Sequence, residues 1–103
     1  MILFNTTFHV SLDLAPDWVS WMKETQLPAI METGLPSDFR LLHLLTELDN
    51  GGKTYSCQLT FTTMAVYEVY KLMHHPGFQR QLYQKFTNQY VEFETLLEDI
   101  SAS

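Results

Sequence analysis

The chain has 103 residues, 46% of them hydrophobic, and a formal net charge of -6 from 6 Lys+Arg against 12 Asp+Glu. That length suits one domain, 1–103, with a modest core that gains from burying more surface in a dimer. The acidic balance excludes nucleic acid and an anionic membrane surface as partners, because both need clustered cations.

No apolar run reaches the ~20 residues of a membrane-crossing helix. The start, Met1-Ile2-Leu3-Phe4, has no basic region and runs straight into a strand pattern, unlike a signal peptide. Cys57 is the single cysteine and cannot form an internal disulfide. Together these features predict a reduced, cytoplasmic protein.

The first strand spans Ile2 to Leu12. Ile2, Phe4, Phe8, Val10 and Leu12 share one parity, and Leu3, Asn5, Thr7, His9 and Ser11 share the other. A helical stretch follows from Ala15 to Gly34. Pro16 suits its first turn and Asp17 complements the dipole there. Trp18, Met22, Thr25 and Ala29 share one face, with Trp21 beside it. Pro28 should kink or break this helix, and Gly34 should stop it.

Phe39 to Leu48 reads as a second strand with apolar residues on both parities. Asp49 to Gly52, "DNGG", is a hairpin signal. Lys53 to Thr62 is a third strand with Tyr55, Cys57, Leu59 and Phe61 on its greasy side. A second helical region runs from Thr63 to Phe86. Thr62 or Thr63 caps it, and Val66, Val69, Leu72 and Met73 form its apolar stripe. Pro76-Gly77 interrupts it, and Phe78, Leu82 and Phe86 follow at helical spacing. The fourth strand, from Tyr90, sets Val91 and Phe93 opposite Glu92 and Glu94. The last residues, Ser101 to Ser103, should fray.

The order β-α-β-β-α-β defines an α+β, ferredoxin-like sandwich. Its four-stranded antiparallel sheet, in the order 4-1-3-2, carries two helices on one face. The greasy parities of strands one, three and four should meet the helices. The other face should then present one polar patch: Asn5, Thr7 and His9, with Ser56, Gln58 and Thr60, and with Glu92 and Glu94. Strand two adds Arg40, Leu42 and Leu44, or Phe39, Leu41 and His43, according to register. Its apolar character on both parities argues that a second copy of the chain covers this open face.

The whole length resembles a bacterial family of short proteins classed as a domain of unknown function. That family is similar in turn to the dimeric α/β-barrel superfamily. The matching stretches are "MILFNTTFHV", "WVSWMKETQLPAIMETG", "FRLLHLLTE", "NGGKTYSCQLTFT" and "YVEFETLLE". The Trp18-x-x-Trp21-Met22-Lys23 cluster with Pro28 is the most specific. The resemblance also marks two departures: family members often carry a histidine in place of Gln26 and a basic residue in place of Glu94. Dimeric α/β-barrel relatives include small monooxygenases, isomerases and haem-degrading enzymes. The haem-degrading group implies an Asn on the first strand, a Trp, and a His on the second helix. Asn5 and His74 or His75 fit two of these positions. Thr62-Thr63-Met64-Ala65 stands where the Trp would be, so the activity is not carried over.

His74 and His75 point ~100° apart on a helix and do not readily share a metal. They read as helix-end residues, and no metal site is expected. His9 with Glu92 and Glu94 is the candidate acid–base group: a carboxylate ~5 Å across the strands would raise the imidazole pKa. The competing reading is a structural hydrogen bond in a dimer interface. Arg40 balances those carboxylates, and Gln58 needs partners if covered. Asn5, Gln58, Arg40, Trp18, Trp21 and His74 are the candidate ligand-binding residues. At helical spacing, Trp18 and Trp21 read more readily as core or dimer contact than as a cofactor pocket.

Three functional readings follow. The preferred one is a homodimeric binding or structural module with no cofactor. The second is a dimeric α/β-barrel enzyme, a small-molecule or haem-type monooxygenase or an isomerase. Its pocket would be lined by Trp18, Trp21, Tyr67 or Tyr70, and His74. The third is a small-molecule-sensing regulatory module.

Overall fold

The computed structural model describes residues 1–46 and 51–101. The strands are β1 (Ile2–Ser11), β2 (Asp38–His43), β3 (Gly52–Phe61) and β4 (Tyr90–Glu98). The helices are α1 (Ala15–Trp21), α2 (Leu27–Glu32), α3 (Met64–Met73) and α4 (His75–Lys85). The sheet order is β2-β3-β1-β4, with every neighbouring pair antiparallel.

Strict alternation puts one side of each long central strand in the core. Phe4, Phe8 and Val10 of β1 are buried with Tyr55, Cys57, Leu59 and Phe61 of β3. Over them, Trp18 is completely buried. Its ring stacks on Tyr55 at 5.0 Å and tilts against Phe8 at 5.0 Å. Truncating such a side chain costs about 3–5 kcal/mol, so Trp18 anchors the first helical layer.

α1 starts as expected, with a proline and Asp17 in its first turn. Pro28 does not break the helix. Met22–Gln26 forms a π-helical turn, in which the Leu27 N–H reaches back five residues to the Met22 carbonyl. Pro28 then falls in the first turn of α2, where a missing N–H does no harm. The wide turn inserts one residue into the helical phase. The buried face therefore runs Trp18, Met22, Gln26, Ile30 rather than Trp18, Met22, Thr25, Ala29. Gly34, at φ +74°, ends α2 and donates its N–H to the Met31 carbonyl.

β2 ends at His43, with Leu44 to Thr46 outside the strand, and Glu47 and Leu48 of the expected strand, with Asp49 and Asn50 of the turn, lie outside the described residues. Ala102 and Ser103 of the tail also lie outside them. Arg40 pairs with Gln58 and Leu42 with Ser56, so Arg40 and Leu42 belong to the open face, while Phe39, Leu41 and His43 lie on the helix side.

The Thr63 hydroxyl accepts from the Val66 N–H and caps α3. The inward face of α3 differs from the expected stripe. Tyr67 and Tyr70 are buried, whereas Val69, Leu72 and Met73 are exposed. The rings of Tyr67 and Tyr70 pack on Phe4 and Phe61. Pro76 and Gly77 lie in the first turn of α4, whose Leu82 and Phe86 complete the core as expected. Among the described residues, no helix is long and apolar enough to cross a membrane.

Candidate functional site: the two faces of the sheet

The open face is built by the odd-numbered residues of β1 and their cross-strand neighbours. Asn5 lies opposite Gln58, Thr7 opposite Ser56 and His9 opposite Thr54. The side chains form a chain of hydrogen bonds. Gln58 Nε2 donates to Ser56 Oγ at 3.4 Å, Ser56 Oγ donates to Asn5 Oδ1, and Asn5 Nδ2 donates to Thr7 Oγ1 at 3.1 Å. His9 Nδ1 lies 3.0 Å from Thr54 Oγ1. The ring covers Gly52 so closely that a Cβ there would fall 2.6 Å from His9 Nε2.

The expected carboxylates are not on this face. Glu94 pairs with Thr6 and Glu92 with Phe8, on the helix side, while Val91 lies opposite His9 and Phe93 opposite Thr7. The acid–base group of His9 with Glu92 and Glu94 is therefore not assembled. A period of two marks two faces of a strand but does not say which one meets the helices. Here the glutamates find hydrogen-bond donors on the helices, and that outweighs burying Val91 and Phe93. The open face accordingly gains an apolar stripe: Val91 and Phe93 are 55% and 67% exposed, with Leu97 below them. On its far side lie Leu42 and Leu44, both also exposed. At one end, Leu3, Arg40, Gln58, Thr60 and Leu97 line a hollow of about 470 Å³.

The helix side of β4 carries a charged cluster that sequence reasoning did not assemble. Glu94 Oε1 accepts from Lys71 Nζ at 2.6 Å, and its Oε2 lies 2.5 Å from His75 Nε2. Gln79 Nε2 bridges the two carboxylates, at 3.1 Å from Glu94 Oε2 and 3.3 Å from Glu92 Oε1. The His75 ring is buried against Phe4, edge to face at 5.1 Å, and Lys71 Nζ sits 4.9 Å from the centre of the Phe4 ring. Lys71, His75 and Gln79 recur every four residues across the α3–α4 junction, so a spacing search extended to β4 would have found them.

Burial pushes the His75 imidazole below its ordinary pKa, against the pull of Glu94. Burial alone would raise Glu94, but hydrogen bonds from Lys71 and His75 outweigh it and leave the carboxyl below the usual range. Glu92 is raised, chiefly by burial. The arrangement that results is a neutral His75 whose Nε2–H donates to an anionic Glu94.

The remaining candidates go to separate places. Trp18 is core, Trp21 packs edge-on against Phe86 at 5.7 Å, and His74 stacks on Tyr70 at 6.4 Å between ring centres. Burial pushes the Cys57 thiol up to about 12.

An antiparallel β2-β3-β1-β4 sheet with helices on one side, and a hydrogen-bonded open face, is the ferredoxin-like arrangement. The chain belongs to the DUF4286 family, a domain of unknown function whose pattern matches residues 1–100. Solved structures share the fold at low identity. A dimeric ferredoxin-like protein from an uncultured marine organism matches with a TM-score of 0.74 at 9% identity, over 100% of this chain and 98% of that one. HapK from Hahella chejuensis matches with a TM-score of 0.71 at 10% identity, over 100% and 96%. A dimeric ferredoxin-like protein of unknown function from Jannaschia sp. CCS1 matches with a TM-score of 0.54 at 16% identity, over 92% and 98%. No curated protein matches the chain at a significant level.

Proposed function

We propose that this chain works as a homodimeric binding or structural module, one domain per subunit, whose two sheets pack through their open faces. One observation carries the reading: Val91, Phe93, Leu97, Leu42 and Leu44 all lie exposed on the face that has no helices. A face of this kind left to water is unusual for a monomer. Burying it in a symmetric pair removes the exposed stripe and enlarges a small core. The similar marine and Jannaschia proteins are described as dimeric, which supports the same state here.

The polar centre fits an interface as well as the apolar margins do. Asn5, Thr7, Ser56 and Gln58 already satisfy one another, so covering them leaves few unpaired groups. The hollow beside Arg40 and Gln58 lies where two sheets would enclose it. Arg40 and Gln58 are thus the residues facing any molecule held there, with Asn5 across the strands from Gln58. The buried, lone Cys57 suits a reducing cytoplasm.

Light scattering coupled to gel filtration tests the reading. A dimer at micromolar concentration is expected, and Phe93→Lys should shift it to monomer while the chain stays folded. A monomeric parent chain, or a Phe93→Lys dimer as stable as the parent, would overturn it.

A further inference from the structure

The hollow at one end of the open face, about 470 Å³, falls within the range of small-molecule sites, about 300–1,000 Å³. The strand register sets its floor. Asp38, Thr60, Leu3 and Leu97 form one row across β2, β3, β1 and β4, and Arg40 and Gln58 stand two residues along, in the next row. Side chains two apart on a strand share a face, so all six belong to the open side. Their polar atoms are largely unpaired. Among the described residues the Arg40 guanidinium makes no hydrogen bond or ion pair, and the Thr60 hydroxyl has no partner. Asp38 uses one carboxylate oxygen on the Phe39 N–H and keeps the other. Gln58 donates from Nε2 to Ser56 and keeps its Oε1.

We propose that this hollow binds a free α-amino acid with an apolar side chain, closed in by the partner sheet. The proposal rests on the dimer reading for that closure, while every recognising group comes from one subunit. The Arg40 fork takes the carboxylate. An ammonium carries three donors, and Asp38, Gln58 Oε1 and the Thr60 hydroxyl present acceptors for them. Leu3 and Leu97 take the side chain. Asp38 and Arg40 are about 7 Å apart along the strand, which suits two charges held on one carbon rather than the ends of a long chain. A cationic ligand leaves Arg40 to be covered without a counter-charge, which is costly. An anionic one meets Asp38, with Glu98 and Asp99 at the rim, on a chain of net charge -6. A zwitterion answers both constraints.

Titration of the full chain with L-leucine, leucinamide and 4-methylpentanoate, followed by amide NMR shifts, tests the proposal. Leucine should bind at least ~10-fold more tightly than either analogue. Arg40→Gln should weaken leucine at least ~10-fold while leaving leucinamide unchanged. Asp38→Asn should weaken leucine and leave 4-methylpentanoate no weaker. Thermal midpoints confirm that both variants fold, as expected at exposed positions. Light scattering on the same samples reports the oligomeric state separately. A dimer that takes up no leucine overturns the ligand alone, whereas a monomer overturns the assembly and the enclosed site with it. Equal affinity for the three probes, no leucine binding up to about 10 mM, or indifference to both variants would each overturn the proposal.

Discussion

His75 and Glu94 face each other across the gap between α4 and β4, Nε2 to Oε2 at 2.5 Å, with the imidazole buried and the carboxylate at its solvent edge. The pair ties the start of α4 to the edge strand β4, beside the Lys71 contact that ties α3 to the same carboxylate. It also makes the helical layer sensitive to pH.

Burial holds the folded-state pKa of His75 below the ordinary 6.5. As pH falls through about 6.5, the unfolded chain takes up the proton first, so stability is lost from there down towards the folded value. Above 6.5 both states are neutral and the contribution is constant. His75→Gln, a neutral donor of similar reach, should flatten this slope. Thermal midpoints of both proteins from pH 5 to pH 8 check it, and parallel curves would refute it.

Glu94→Gln should destabilise the protein by about 1–2 kcal/mol at neutral pH, through lost charge-assisted hydrogen bonds and screened by solvent at Lys71. Because Glu94 supports the protonated imidazole, the variant should also titrate His75 at a still lower pH. Denaturant unfolding and proton NMR of the ring read these two effects independently.

Gln26 is 6% exposed, and its Oε1 has no hydrogen-bond partner. An unmet buried carbonyl costs stability. Gln26→Met keeps the length and removes the polar atom, so it should stabilise by about 1 kcal/mol. A lower urea midpoint for the variant would show that the amide is satisfied in solution.

Cys57 is buried and its thiol is pushed up to about 12, so thiolate is scarce at neutral pH. Aromatic disulfide reagents should label it only as fast as the fold opens, and at full speed in denaturant. Rapid labelling of the native protein would refute the burial.

Much of the fold was legible because β1, Leu3 and Thr6 apart, and β3 from Tyr55 to Phe61 alternate, and the punctuation is chemically specific. Phe4, Phe8, Val10, Tyr55, Leu59 and Phe61 went where their parity sent them, and Thr63 and Gly34 marked helix ends. Two things were hidden for physical reasons. Hydrophobicity alone assigned Val91 and Phe93 to the core, but the partners that draw Glu92 and Glu94 inward lie on α3 and α4, up to 23 residues from the carboxylate they serve. The phase of the first helical layer was hidden by a turn that obeys neither an α-helical nor a strand period. Asn5 and Gln58 were correctly placed on one face, whereas His9 meets Thr54 rather than an acid.

The π-helical turn and Pro28 amount to a matched pair of local irregularities. Deleting one exposed residue, Lys23 or Glu24, would return the segment to an unbroken α-helical phase that still points Trp18, Met22 and Ile30 inward. Pro28 would then sit in the interior of a regular helix, where it costs ~3 kcal/mol or more. Replacing Pro28 alone removes the obstacle but leaves the surplus residue. The two changes should therefore be strongly non-additive, each tolerated best in the presence of the other.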